Sequence, residues 1–303
     1  MKRSNSNTST IKREPCPAAE RILVYFDERS KEFRGALRTA QSGFTVDGIH
    51  DMRVAVKRLR VLYELIDYIA PSFASKPSLL SFKELYQAAG VLRDIDICQE
   101  IATSYLEAYH LTEYLEQLEK EESQLRNTFA EVASRYSIAS LSKSRQQIYS
   151  ALAITREKWL QRRIEKKILK HAEKVRDGTS LKKQSNDDLH TVRKLSKALR
   201  YTLDIWQVCY GKTGPVTKIS DQLKKAYGRL GEWHDALLVH DSVENFLTGK
   251  NPDSLADSEA CTKFLEEMNR RARRLLGAYR QGKKPLLKSL DRLASDLHKH
   301  MSG

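Results

Sequence analysis

The stretch Asp47-Gly48-Ile49-His50-Asp51-Met52-Arg53-Val54-Ala55-Val56-Lys57-Arg58-Leu59-Arg60 has a second copy in the same chain. That copy is Asp187-Asp188-Leu189-His190-Thr191-Val192-Arg193-Lys194-Leu195-Ser196-Lys197-Ala198-Leu199-Arg200, aligned without a gap at an offset of 140 residues. Both carry the pattern His-x-x-Arg-x-x-x-Lys-x-Leu-Arg. At about 100° per residue, His50, Arg53, Lys57 and Arg60 fall within an arc of about 80°, and so do His190, Arg193, Lys197 and Arg200. At ~1.5 Å per residue each set is a stripe about 15 Å long. The opposite side is apolar, with Met52, Val56, Leu59, Tyr63 and Ile66 in one copy and Val192, Leu199, Leu203 and Trp206 in the other. The pattern predicts two helices, each packing on one face and showing a cationic ridge on another.

A second matched block follows each copy. Phe82-Lys83-Glu84-Leu85-Tyr86, continuing to Gly90, Arg93 and Asp94, pairs with Leu223-Lys224-Lys225-Ala226-Tyr227, continuing to Gly231, His234 and Asp235. The chain therefore reads as two homologous halves, 17–150 and 151–303, behind a Ser/Thr/Asn-rich tail at 1–16 expected to be disordered. Gly (13) and Pro (7) are scarce in 303 residues, which suits long helices, because both residues are poor in helix interiors. Breaks are expected at Gly43–Gly48, Pro71–Pro77, Gly178–Asn186, Gly211–Pro215 and Gly249–Asp257. Between them lie helical stretches such as Leu79–Gly90, Leu111–Arg135, Leu141–Val175 and Ser258–Arg280. No alternating strand pattern stands out, so the fold class is all-α.

Like charges at these intervals repel, and no acid lies within either stripe to relieve them. The arrangement costs stability unless an anion, or acids from elsewhere, lies between the cations. The net charge is +14, and Arg156–Arg200 alone holds fifteen Lys or Arg against six acids. Such a field selects polyanions. Asp47 and Asp187 are the expected N-caps, which would put His50 and His190 in the first turn as neutral donors disfavoured as cations by the helix end. Lys83 and Lys224 match each other on the next helix. Arg58, Lys194 and Arg229 are candidates without a counterpart, and Arg270, Arg271, Arg273 and Arg274 are a further basic group. Gly90 and Gly231 are read as points where helices approach closely. Arg93/Asp94 and His234/Asp235 are read as the end of that helix or the turn after it, with the acids fixing the corner.

Other classes lack support. Each motif histidine is surrounded by Arg and Lys, which repel a divalent cation, so no metal site is expected. No Gly-rich phosphate loop, nucleophile elbow or paired carboxylate occurs, and neither catalysis nor a cofactor is expected. The four cysteines show no paired spacing, nothing resembles a signal peptide, and no run of 18 apolar residues occurs, so a cytoplasmic chain without a membrane partner is expected.

At these residues the chain resembles the CHAD domain family, a histidine-named α-helical family. The match rests on Ile49–Arg53 through Leu59-Arg60, on Leu189–Arg193 through Leu199-Arg200-Tyr201, and on Gly90-Val91-Leu92-Arg93-Asp94-Ile95-Asp96. The resemblance implies two four-helix bundles related by an approximate two-fold around a basic central pore or groove. It also implies binding of inorganic polyphosphate and association with polyphosphate granules. The second half departs from the first at Ala198, against Arg58, and at His234, against Arg93. A nucleic-acid binder using the same helices is the alternative, disfavoured by the few aromatics on their cationic side. A scaffold for acidic proteins and an enzyme on phosphorylated substrates follow.

Overall fold

Wherever Gly and Pro are absent the apolar period of the chain is helical, and helices account for almost all of the structure. The computed structural model describes residues 14–249 and 258–302; residues 1–13 of the expected disordered tail and the break at 250–257 lie outside them. In chain order the helices are α1 (Pro17–Gly43), α2 (Val46–Ile69), a 3-10 turn (Pro71–Phe73), α3 (Lys76–Ser81), α4 (Lys83–Ser104), α5 (Leu106–Tyr109) and α6 (Thr112–Arg135). They continue with α7 (Ala139–Leu152), α8 (Glu157–Ser180), α9 (Asn186–Tyr210), α10 (Gly214–Thr248), α11 (Ser258–Gln281) and α12 (Lys283–Ser302). No strand occurs among the described residues.

Three details of the sequence reading change. The expected continuous stretch Leu141–Val175 is two helices, broken at 153–156. The break lets α7 pack on α1 and α3 while α8 turns to α9, α12 and α2. The stretch expected to stop at Gly90 runs on to Ser104, so Arg93 and Asp94 lie inside α4, and His234 and Asp235 lie inside α10. The corner expected there is absent, because one glycine costs a helix only about 1 kcal/mol and packing outweighs it. Finally, the caps are Thr45 and Ser185 rather than Asp47 and Asp187.

The capping geometry shows why. Thr45 Oγ1 accepts from the Gly48 amide at 3.2 Å. A β-carbon on Gly48 would meet Thr45 Oγ1 at 2.8 Å and the Ala40 nitrogen at 2.9 Å, so the missing side chain permits both the cap and the close start of α2 on α1. Ser185 and Asp188 form a reciprocal capping box, the Ser185 amide donating to Asp188 at 2.9 Å and the Asp188 amide to Ser185 Oγ at 3.1 Å. His50 and His190 consequently follow the four free amides instead of presenting them.

The apolar clusters do not divide at the midpoint of the chain. The largest joins α1, α2, α4 and α7 to α8, α9, α10 and α12, with Phe26, Tyr63, Leu199 and Leu203 among its buried members. A second links Cys98 and Tyr114 of the first half to Val243, Phe264 and Met268 of the second. This shared burial holds the two motif helices in fixed relation, because α1 and α2 both pack on α9.

Candidate functional site

Met52, Val56, Leu59, Val192 and Leu199 are buried, which orients the opposite, cationic faces of α2 and α9. The two faces meet. Lys197 is the charge that acts most strongly on Lys57, followed by Arg53 and Arg193, and both Arg193 and Arg53 act on Lys197. Equivalent positions of the two copies thus converge on one half-buried cluster.

Each cluster half rests on a tyrosine from the following long helix. On α4, the Tyr86 carbonyl accepts from Arg53 Nη1 at 2.9 Å, and its ring lies 4.4 Å from the Arg53 guanidinium and 5.9 Å from both Lys57 and Arg60. On α10, the Tyr227 ring lies 5.5 Å from Lys197, and its hydroxyl accepts from Arg200 at 3.0 Å. These cation–π contacts stabilise the charges without neutralising them. The glycines expected to bring helices together make room for side chains instead. A β-carbon on Gly90 would meet Arg53 Nη1 at 2.7 Å, and one on Gly231 would lie 3.8 Å from Arg193 Nε.

The electrostatics record the crowding. Burial, then Lys197, Arg53 and Arg193, push the Lys57 ammonium down to about 7, against a smaller opposing effect of Asp235. Burial and Arg193 push Lys197 down to about 8, again opposed by Asp235. Among the described residues neither lysine forms an ion pair, and nor do Arg53, Arg60, Arg193 or Arg200. Arg193 Nε is buried without a hydrogen-bond partner. Partial burial lowers His50, with Arg93 and Lys57 adding to it, and lowers His190, with Lys194 and His234 adding to it. Burial and the neighbouring cations thus both favour the neutral form of these histidines. His190 stacks on His234 at 5.4 Å.

Several candidates lie elsewhere. Arg58 pairs with Glu32 of α1 at 3.1 Å, because a position one residue past Lys57 points about 100° away from the stripe. Arg229 donates to the Ala278 carbonyl at 2.8 Å and ties α10 to α11. Lys83, Lys194 and Lys224 are exposed; Lys194 reaches the cluster through its effect on His190. Arg270 and Arg274 pair with Glu267. Tyr86 and Tyr227 were missed as site residues although their repetition was visible. The acids Asp94 and Asp235 were misplaced: burial raises Asp94, while Arg53 and His234 pull it down, so it faces the cluster. One group with metal-ligand geometry occurs among the described residues, His240, Asp241 and Glu244, with ligand atoms within 4.8 Å of one another. It lies on α10, with Asp241 and Glu244 exposed.

Comparison with known proteins bears on the whole chain. A family model described as the CHAD domain matches residues 25–244. The crystal structure of the CHAD domain from the plant Ricinus communis is similar, with a TM-score of 0.65 at 16% identity, covering 98% of this chain and 96% of that one. At that identity the likeness is one of fold. No curated protein matches the sequence.

Proposed function

The chain belongs to the CHAD domain family, and from that premise we propose that it binds inorganic polyphosphate without transforming it, in a basic groove or pore along the seam of α2 and α9. The observation that carries the reading is the meeting of Arg53, Lys57, Arg193 and Lys197, crowded enough to depress both lysines and left without ion pairs of their own. Such a cluster is costly in the free protein and is relieved by a multivalent anion. A linear polyanion offers one phosphate to every one or two cations. The arginines supply planar, bidentate donors and the lysines supply point charges. Arg60, Arg200, His50 and His190 extend the contact along both stripes, with Lys83, Lys224 and Lys194 contributing to the field at the rim. Arg58 and Arg229, already engaged, are left out of the contact.

The two halves, on this reading, form a duplicated pair of bundles whose approximate two-fold passes between Lys57 and Lys197. Binding proceeds by counterion release and charge-assisted hydrogen bonds, and serves to hold the protein at polyphosphate granules in the cytoplasm. Nucleic acid is the weaker ligand. Tyr86 and Tyr227 add to the few aromatics on the motif helices, but Arg53 already lies 4.4 Å from the Tyr86 ring, so a base would have to displace it to stack there.

The test is calorimetric titration with long-chain polyphosphate and with single- and double-stranded DNA at equal phosphate concentration. Polyphosphate binding at least about tenfold tighter, ~1.4 kcal/mol, supports the reading. Equal or tighter DNA binding refutes it in favour of a general electrostatic surface. Replacing Arg53, Lys57, Arg193 and Lys197 by Ala abolishes polyphosphate binding with helicity retained; normal binding by that variant assigns the site elsewhere.

A further inference from the structure

The outward face of α8 carries cations that the cluster does not use. Arg162, Arg163, Lys166, Lys167, Lys170 and Lys174 fall within an arc of about 140° at ~100° per residue, with Trp159 inside the same arc. Leu160, Ile164, Ile168 and Val175 occupy the opposite, buried side. Arg162, Lys166, Lys170 and Lys174 are exposed. The ion pairs of α8 lie elsewhere, at Arg176 and Glu165.

The row adjoins the motif stripe. Arg163 donates to the Tyr68 carbonyl at the end of α2, its guanidinium 3.9 Å from the Tyr68 ring centroid. Lys167 lies beside Glu64 and Asp67, the acids of α2 that face it, across a cavity of about 440 Å³. Lys167 also lies 5.2 Å from the Tyr68 ring, so Arg163 and Lys167 both meet the stretch 64–68 of α2, just past Arg60. Glu64 and Tyr68 share the face of α2 that carries the stripe, so the α8 row meets that face directly beyond Arg60.

The other flank differs. Arg21 of α1 donates to the Cys209 carbonyl at the end of α9, as Arg163 does at the end of α2. Aligned on these two arginines, the α1 positions that correspond to Arg162, Lys170 and Lys174 are Glu20, Glu28 and Glu32. Glu28 and Glu32 are used in ion pairs with Arg29 and Arg58. One flank of the seam pairs its own charges, while on the other Arg162, Lys166, Lys170 and Lys174 form no ion pair among the described residues.

We infer that the α8 row is a second segment of the polyphosphate path, so that a long chain held between α2 and α9 leaves by the α8 flank and is bound along it as far as Trp159. The inference rests on the proposed function and adds a direction and a length dependence. Continuity with the stripe and charge complementarity commit the row to the same chain. Glu64 and Asp67 steer that chain away from α2 and onto the outer positions of α8.

The experiment compares tripolyphosphate with long-chain polyphosphate on the wild type and on the variant Arg162→Gln/Lys166→Gln/Lys170→Gln/Lys174→Gln, whose exposed positions leave the core intact. Tripolyphosphate binding is expected to stay within about twofold, while long-chain affinity falls at least about tenfold, ~1.4 kcal/mol. The log–log salt slope for the long chain should shrink by about 3, four contacts at ~0.7 each by analogy with a single-stranded polyanion. Long chains, and not tripolyphosphate, should perturb the fluorescence of Trp159, 47% exposed, read as the difference from Trp159→Phe. Long-chain binding unchanged in the variant overturns the inference, and so does an equal loss for both ligands. Failure of the wild type to bind either ligand overturns the proposed function itself.

Discussion

Replacing Lys57 by Met keeps an unbranched apolar stem against Tyr86 and removes the most strongly perturbed charge of the cluster. Lys57 is pushed from 10.5 to about 7. At ~1.4 kcal/mol per unit that span corresponds to about 5 kcal/mol. The side chain keeps some contact with water, and screening and relaxation reduce the recoverable part to about 2 kcal/mol. At about 2 °C per kcal/mol for a chain of this size, Lys57→Met should melt ~4 °C above the wild type near pH 6. The sign over pH follows from proton counting. Between about 7 and 10.5 the unfolded chain holds a proton on Lys57 that the folded chain has released, so wild-type stability rises with pH across that window. The variant lacks this rise, and its advantage should shrink from pH 7 upward and vanish above about 10.5. Polyphosphate affinity should fall in the same protein, by about 1.5–3 kcal/mol for one lost charged contact. Thermal denaturation from pH 6 to 10, paired with calorimetric titration at pH 6, measures both. A variant that melts below the wild type by an amount independent of pH refutes the reasoning, since Lys57 would then be a satisfied structural residue.

Other outcomes follow from the same geometry. Polyphosphate held against Lys57 and Lys197 favours their charged forms, so binding should take up protons at pH 8 and weaken as pH rises through about 7 and 8; titrations in buffers of different ionisation enthalpy read the uptake. Gly90→Ala should displace Arg53 from the Tyr86 carbonyl and lower affinity about tenfold, ~1.4 kcal/mol. Gly231→Ala, with room beside Arg193, should bind normally and gain about 0.5–1 kcal/mol of stability in chemical denaturation. Ser185→Ala should cost about 1 kcal/mol by removing the capping box, whereas Asp187→Ala should change stability by no more than about 0.5 kcal/mol. Arg58→Ala should leave polyphosphate affinity within about twofold, a change below ~0.5 kcal/mol, because its guanidinium is engaged with Glu32.

The helical class, the two copies of the motif and the side of each helix that carries charge were all legible in the residues. Each follows from local rules: Gly and Pro are scarce, the apolar period is helical, and His, Arg, Lys and Arg at intervals of three and four share one face. The capping residues were misread because Thr45 and Asp47, like Ser185 and Asp187, are acceptable caps by type, and only the backbone path decides which side chain meets a free amide. The break at 153–156 was invisible because Ile154 and Thr155 are merely weak helix formers there; packing of α7 and α8 on different neighbours decides it. Arg93, Asp94, His234 and Asp235 were taken for the end of a helix or the turn after it, whereas burial of Leu92, Leu230 and Trp233 carries both helices through.

What the residues fixed by themselves is therefore the cationic face of each motif helix, a property of spacing along one chain segment. What the face meets was decided by the tertiary structure. A core shared by both halves sets α2 beside α9, brings Lys57 toward Lys197, and slides Tyr86 and Tyr227 beneath the cations while Arg58 turns away to Glu32. Helical periodicity fixes the direction of a side chain about its own axis, but the partner in that direction depends on long-range packing that no local pattern encodes.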